Sequence, residues 1–323
     1  MTTFEEKRGV LSGGRGLVFR NWRCLTWTYL FNLVLASIAA IPLRAQTGAL
    51  LDHSLAARNI AGKLDLAQMG AAISIINERP TGLVNSSLVL DLGFAAILFL
   101  FTPAILSIFL SDELASLGNL FRVGLRFFWR MVRLGLVFLI VGGIPLGILA
   151  AIRGALLNRL DNIYVEREFF LWSLAMGLIV LFVAILVRLW FDLAQLVIVD
   201  RGTYRIGRVE SRSAWKALGP AWRLLRAGFW RLFFSFVLID LLGLAALLLA
   251  LFVWRAAPAG SVWLAFVIEQ IGLFLLLAAR FWQRGMEVAW FSSNTAVVAV
   301  PVTPLVEPVV PPFVDTPPFA EPV

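Results

Sequence analysis

Read along the chain, apolar positions gather into six long runs, and no ten-residue polar/apolar alternation of barrel strands is present. The runs cover residues 24–43, 88–110, 132–152, 169–190, 232–254 and 262–280. A hydrocarbon core of about 30 Å takes about 20 helical residues to cross, and each run approaches or exceeds that length. Backbone groups in lipid must bond within their own segment, so the runs predict helices. The expected fold is all-α: a polytopic membrane domain of six transmembrane helices over 1–292. A Pro-rich cytoplasmic tail over 293–323 follows, with Pro-Pro at 311–312 and 317–318.

Between the spans the pattern changes to a helical period with two faces. In 207–231, Trp215, Leu218, Trp222, Leu225 and Phe229 form one stripe, away from Arg212, Lys216, Arg223 and Arg226. In 113–133, Leu114, Leu117, Phe121 and Phe128 oppose Arg122, Arg126, Arg130 and Arg133. Such a helix lies in the headgroup plane, rings down and guanidiniums on anionic phosphates. With Arg231, these cations predict a basic-aromatic collar. The collar can serve as a positive-inside anchor or as a specific lipid-binding surface. In the 45–87 loop, Leu51, Leu55, Ile60, Leu64 and Ile75 predict a further amphipathic helix, ended by Arg79-Pro80-Thr81-Gly82.

A shift of 101 residues superimposes Leu117-Gly118-x-x-Phe121-Arg122 on Leu218-Gly219-x-x-Trp222-Arg223 without a gap. Phe128-Trp129-Arg130 then meets Phe229-Trp230-Arg231, and Gly142 meets Gly243. A fainter copy begins at Arg20-Asn21-Trp22-Arg23. The expected unit is an amphipathic helix plus a membrane hairpin, used three times. Span 1 also resembles a secretory signal, but the repeat requires it as a span.

Charge sets the orientation. Of 28 basic residues, 19 fall on the side holding both ends of the chain, so both termini are expected in the cytoplasm. The formal charge of +8 therefore lies on a membrane face, where lipid phosphate is the expected partner and nucleic acid is not. With 60% hydrophobic residues, 15% charged and a mean hydropathy of +0.87, a soluble domain is not expected.

Chemistry has few carriers. One His (His53) and one Cys (Cys24) leave no metal site of the usual type and no disulfide within the chain. No Gly-rich phosphate loop with Lys-Ser/Thr, no Gly-x-Ser-x-Gly and no His-Glu-x-x-His occurs, so no cofactor is expected. Ionisable residues inside spans are costly and mark candidate sites. Asp240 in span 5 and Glu269 in span 6, with Gln270 and Asn32, form the candidate intramembrane polar site. A proton relay or cation site would need the two carboxylates to meet across the hairpin. Arg188 and Asp192 share a helix face four residues apart and predict an ion pair.

At Trp190-Phe191-Asp192-Leu193-Ala194, Ser213-Ala214-Trp215-Lys216 and Gly228-Phe229-Trp230-Arg231 the chain resembles a group of bacterial six-span proteins. That group includes the membrane domain attached to some glycerophosphodiester phosphodiesterases, and related Yip-type proteins. The resemblance implies the bacterial inner membrane. It does not imply the phosphodiesterase, whose His-Arg-Gly signature is absent: Ser54-Leu55 follows His53. The leading expectation is a non-enzymatic membrane protein that binds anionic lipids, or protein partners, through its collar; the Pro-rich tail is a further docking candidate. The alternative is a transporter or channel using Asp240 and Glu269, and an intramembrane carboxylate enzyme stands third.

Overall fold

The computed structural model describes residues 9–51, 83–111, 115–160, 166–203, 215–255, 258 and 261–295. These form α1 (Val10–Arg20), α2 (Trp22–Leu51), α3 (Leu83–Ser111), α4 (Leu117–Phe138), α5 (Ile144–Leu160), α6 (Glu166–Thr203), α7 (Trp215–Ala227), α8 (Phe229–Arg255) and α9 (Val262–Thr295). No strand occurs among the described residues. Six stretches are long and apolar enough to cross a membrane: Trp22–Ile41, Asp91–Ser111, Leu117–Asn158, Arg167–Gly202, Phe229–Arg255 and Val262–Asn294. The chain is therefore a multi-pass membrane protein. His53, the amphipathic helix expected between 51 and 75, Leu114, Arg212 and tail residues 296–323 lie outside the described residues.

Several boundaries differ from expectation. α2 continues to Leu51, beyond the expected end at 43. The collar segment after α3 is not separate from its span: α4 and α5 form one continuous helix through a single π-helical turn at Leu139–Gly143. Pro145 explains the turn, because it has no N–H for the carbonyl four residues back and its ring crowds that carbonyl. α9 runs to Thr295, so Arg280 and Arg284, expected to follow the sixth span, lie within its helix.

The helices form three hairpins: α2 with α3, α5 with α6, and α8 with α9. The returning members α3, α6 and α9 also touch one another and make the centre. Each amphipathic segment reaches past its own hairpin. α1 packs on α9, the first turns of α4 on α3, and α7 on α6, which closes a ring. Two of these clasps use the same device. Trp282 Nε1 donates to the Leu11 carbonyl of α1 at 2.9 Å, and Trp190 Nε1 donates to the Leu218 carbonyl of α7 at 3.0 Å. A third bond exploits Pro220, which leaves the Lys216 carbonyl without its helical donor. Arg201 Nη1 supplies one at 3.3 Å.

Burial is concentrated at the collar end. The core draws on Phe101–Phe109 of α3, Leu189–Val199 of α6 and Phe281–Phe291 of α9, with Leu120, Phe127 and Met131 of α4 around them. Toward the other end, large apolar side chains such as Ile148, Phe170, Leu178, Leu248 and Phe252 are exposed. In water such a surface would aggregate; in a bilayer it is the lipid face.

Close helix approach depends on missing side chains. A Cβ on Gly14 would lie 2.5 Å from the Met286 backbone nitrogen. Gly14→Ala is therefore expected to loosen the α1–α9 clasp at a cost of about 1–3 kcal/mol, by overpacking. Gly147, with nothing within 4 Å of such a Cβ, should accept Ala without loss. Unfolding of both variants in detergent, followed by ellipticity, checks this; equal stabilities would contradict the clasp.

Candidate functional site

The collar is only partly free. α7 turns Ala217, Ala221 and Leu225 into α6, rather than the stripe of rings read from the sequence. That stripe splits: Leu225 enters the core, Trp222 rests edge-on against Trp190 at 5.7 Å, and Trp215 stays exposed. Small residues win the inner face because they let α7 and α6 approach closely. Arg122, Arg126, Lys216, Arg223, Arg226 and Arg231 are all exposed. Arg126 also donates through Nη2 to the Gly202 carbonyl at 2.9 Å, capping the negative C-terminal end of α6. The Arg130 guanidinium lies 5.7 Å from the Phe127 ring centre, and that of Arg231 lies 5.7 Å from Trp290. Arg126 and Arg231 thus link neighbouring helices, while Arg122, Lys216, Arg223 and Arg226 face outward beside exposed Trp129, Trp215 and Trp230.

Where the returning helices converge, α6, α8 and α9 build a polar cluster. The expected Arg188–Asp192 pair forms, Nε to Oδ2 at 3.7 Å, but Asp192 has a closer partner in Arg284 Nη1 at 2.8 Å. Arg284 Nη1 also reaches Glu287 Oε2 at 3.4 Å. Asp192 and Glu287 are almost wholly buried, and Arg284 is the cation that reaches both. Gln283 ties the cluster to α8: its Nε2 donates to the Phe236 carbonyl at 3.3 Å, which fixes the amide. Its Oε1 then accepts from Arg188 at 3.4 Å and from Arg280 at 3.3 Å. The Arg188 guanidinium also sits 4.9 Å from the Phe236 ring centre, a cation–π distance.

The two carboxylates read as a candidate site do not meet. Asp240 pairs with Arg280 Nη1 at 3.3 Å. The α8–α9 register is set where Gly243 faces Ala279 and Gly272 faces Ala250. Glu269 is thereby level with Val253, 13 residues past Asp240, or about 20 Å along the helix axis. Glu269 is exposed on the apolar surface, and its neighbour Gln270 accepts a 2.7 Å bond from the Tyr29 hydroxyl. Asn32 instead lines a cavity of about 410 Å³ between α2, α3, α6 and α9, together with Arg188, Arg280 and Arg284.

The place of Arg280 and Arg284 in the polar cluster was missed by sequence reasoning, although a signal existed. Arg188-x-Trp190 recurs as Arg280-x-Trp282, 92 residues later, with buried Gln195 and Glu287 at matching places. Each Arg follows directly on the residue that receives a glycine from its hairpin partner: Val187 faces Gly142, and Ala279 faces Gly243. Trp190 and Trp282 are the two clasp donors. Compared with known protein families, curated proteins and solved structures, the chain matches none.

Two outcomes follow for the cluster. Arg284→Met, which removes the closest partner of buried Asp192 and the guanidinium beside buried Glu287, should destabilise by about 3–5 kcal/mol in equilibrium unfolding, and a loss below 1 kcal/mol would contradict the pairing. In double-mutant cycles, Asp240→Asn with Glu269→Gln should be additive to within about 0.5 kcal/mol, whereas Asp240→Asn with Arg280→Gln should couple.

Proposed function

We propose that this is a non-enzymatic, multi-pass membrane protein that binds anionic lipid through its basic-aromatic collar. It sits in the bacterial inner membrane with both ends of the chain in the cytoplasm. The observation that carries this reading is the set of exposed cations, Arg122, Lys216, Arg223 and Arg226, interleaved with exposed Trp129, Trp215 and Trp230 at one end of the bundle. Indole rings prefer the headgroup level, and guanidiniums there attract anionic phosphates. The separation of Asp240 from Glu269, and the engagement of Asp240 by Arg280, weigh against transport through paired carboxylates.

The collar is built, on this reading, by three copies of one unit. Buried positions support it: Leu120, Met131, Leu134 and Gly142 coincide with buried Ala221, Leu232, Ser235 and Gly243 at the shift of 101, and exposed Trp129 coincides with exposed Trp230. The first copy carries the break between α1 and α2 at Asn21, as the third carries one at Gly228. The cyclic order of the clasps gives each copy the same neighbour relation.

Brominated lipids test the collar directly, because bromine quenches tryptophan at contact. In wild-type protein, brominated phosphatidylglycerol should quench more strongly than brominated phosphatidylcholine. Replacing Arg122, Lys216, Arg223 and Arg226 together by Gln should bring the two lipids close to parity, since each cation near the surface contributes about 1 kcal/mol. A preference that survives the fourfold change would overturn the proposal.

A further inference from the structure

We infer that the cavity between α2, α3, α6 and α9 is a second, intramembrane site, which takes the phosphate headgroup of one anionic lipid. The inference goes beyond the collar reading and does not rest on it. The cavity encloses about 410 Å³, within the range of about 300–1,000 Å³ typical of small-molecule pockets. Its lining is divided. Arg188, Arg280 and Arg284, with Thr28, Asn32 and Thr102, form the polar part, while Phe94, Leu98, Phe101, Ile105 and Leu277 supply apolar wall.

The arrangement of charge favours an anion. Three carboxylates accompany the three guanidiniums, but none of them lines the cavity. The Asp192 side chain is 4% exposed and that of Glu287 is 0%, whereas those of Arg188 and Arg280 are 35% and 42%. Asp192 and Glu287 therefore stand behind the bases, while Asp240, 34% exposed, is held by Arg280 outside the lining. Arg280 meets both Asp240 and Gln283 through the single nitrogen Nη1, which leaves Nε and Nη2 without a protein partner among the described residues. Arg188 likewise keeps Nη1. A guanidinium fork with open donors matches phosphate oxygens in geometry and charge. The Thr102 hydroxyl and the Asn32 amide can complete a headgroup shell, whereas the Thr28 hydroxyl already donates to the Cys24 carbonyl at 2.8 Å.

The lipid, rather than a free anion, is favoured by the other wall. Leu98 is 57% exposed and Phe94 36%, so the apolar wall reaches the outer surface of the helix bundle. That surface faces acyl chains. A headgroup on the arginines could thus leave its tails along α3 without crossing a polar barrier. Free phosphate would gain nothing from Phe94, Leu98 and Phe101.

Native mass spectrometry in a neutral detergent tests this, with phosphatidylglycerol, phosphatidylcholine and inorganic phosphate as separate probes. Wild type should retain one phosphatidylglycerol per chain at least tenfold more tightly than phosphatidylcholine. Arg188→Gln with Arg280→Gln should lose that lipid by tenfold or more. Ala95→Phe, which fills the cavity and leaves every ion pair in place, should do the same in protein that still unfolds cooperatively. The fourfold collar variant should keep the single tight lipid, which separates failure of this site from failure of the collar. Equal retention of the two lipids, retention in the Ala95→Phe protein, or loss in the collar variant would each overturn the inference. Displacement of the lipid by equimolar inorganic phosphate would overturn it too, marking a site for the free anion.

Discussion

The contact between each amphipathic segment and the returning helix of a different hairpin holds this bundle together. Lipid gives apolar helices little reason to associate, because acyl chains are as apolar as leucine. What remains is close packing and the satisfaction of polar groups. The clasps provide both, through Gly14 against Met286, Gly124 against Leu100, and the indole bonds of Trp190 and Trp282. Each segment ties two hairpins, so the three hairpins are held by neighbours in both directions. That explains why α3, α6 and α9 are buried only over their collar-end halves, while the remaining halves lie open to lipid.

The polar cluster becomes possible because of that packing. A guanidinium and a carboxylate inside a membrane protein survive only where neighbours complete their bonds. Asp192 and Glu287 are enclosed by α6 and α9, with Gln283 held by the Phe236 carbonyl of α8 and bridging two arginines. The collar and the cluster therefore share a cause: the ring of clasps presents cations outward at one end of the bundle and closes a charged layer just inside it.

Much of this was legible in the sequence. The six spans stand out because lipid tolerates no gap in apolar character, and the shift of 101 shows in Leu-Gly and Phe-Trp-Arg. The ends of the helices were not legible, because a charge such as Arg280 interrupts an apolar window even when a partner helix neutralises it and the helix continues. Nor was the pairing of Asp240. Hairpin register is decided by small residues, Gly243 on Ala279 and Gly272 on Ala250, and these carry no hydropathy signal. Arg188-x-Trp190 and Arg280-x-Trp282 were open to reading, but their spacing of 92 differs from the shift of 101 because the arms of the α5–α6 hairpin are longer: 45 residues separate Gly142 from Val187, and 36 separate Gly243 from Ala279.

The seam between α1 and α9 joins the first described helix to the last. A chain that emerges from the ribosome in order makes α1 before seven further helices and only then its partner α9. Until α9 has been inserted, the carbonyl of Leu11 has no indole to meet, and Gly14 faces no backbone. The α4–α3 and α7–α6 contacts join neighbours in synthesis and can form as each hairpin arrives. The α1–α9 contact is thus a latch, and the ring becomes a ring only once α9 has arrived.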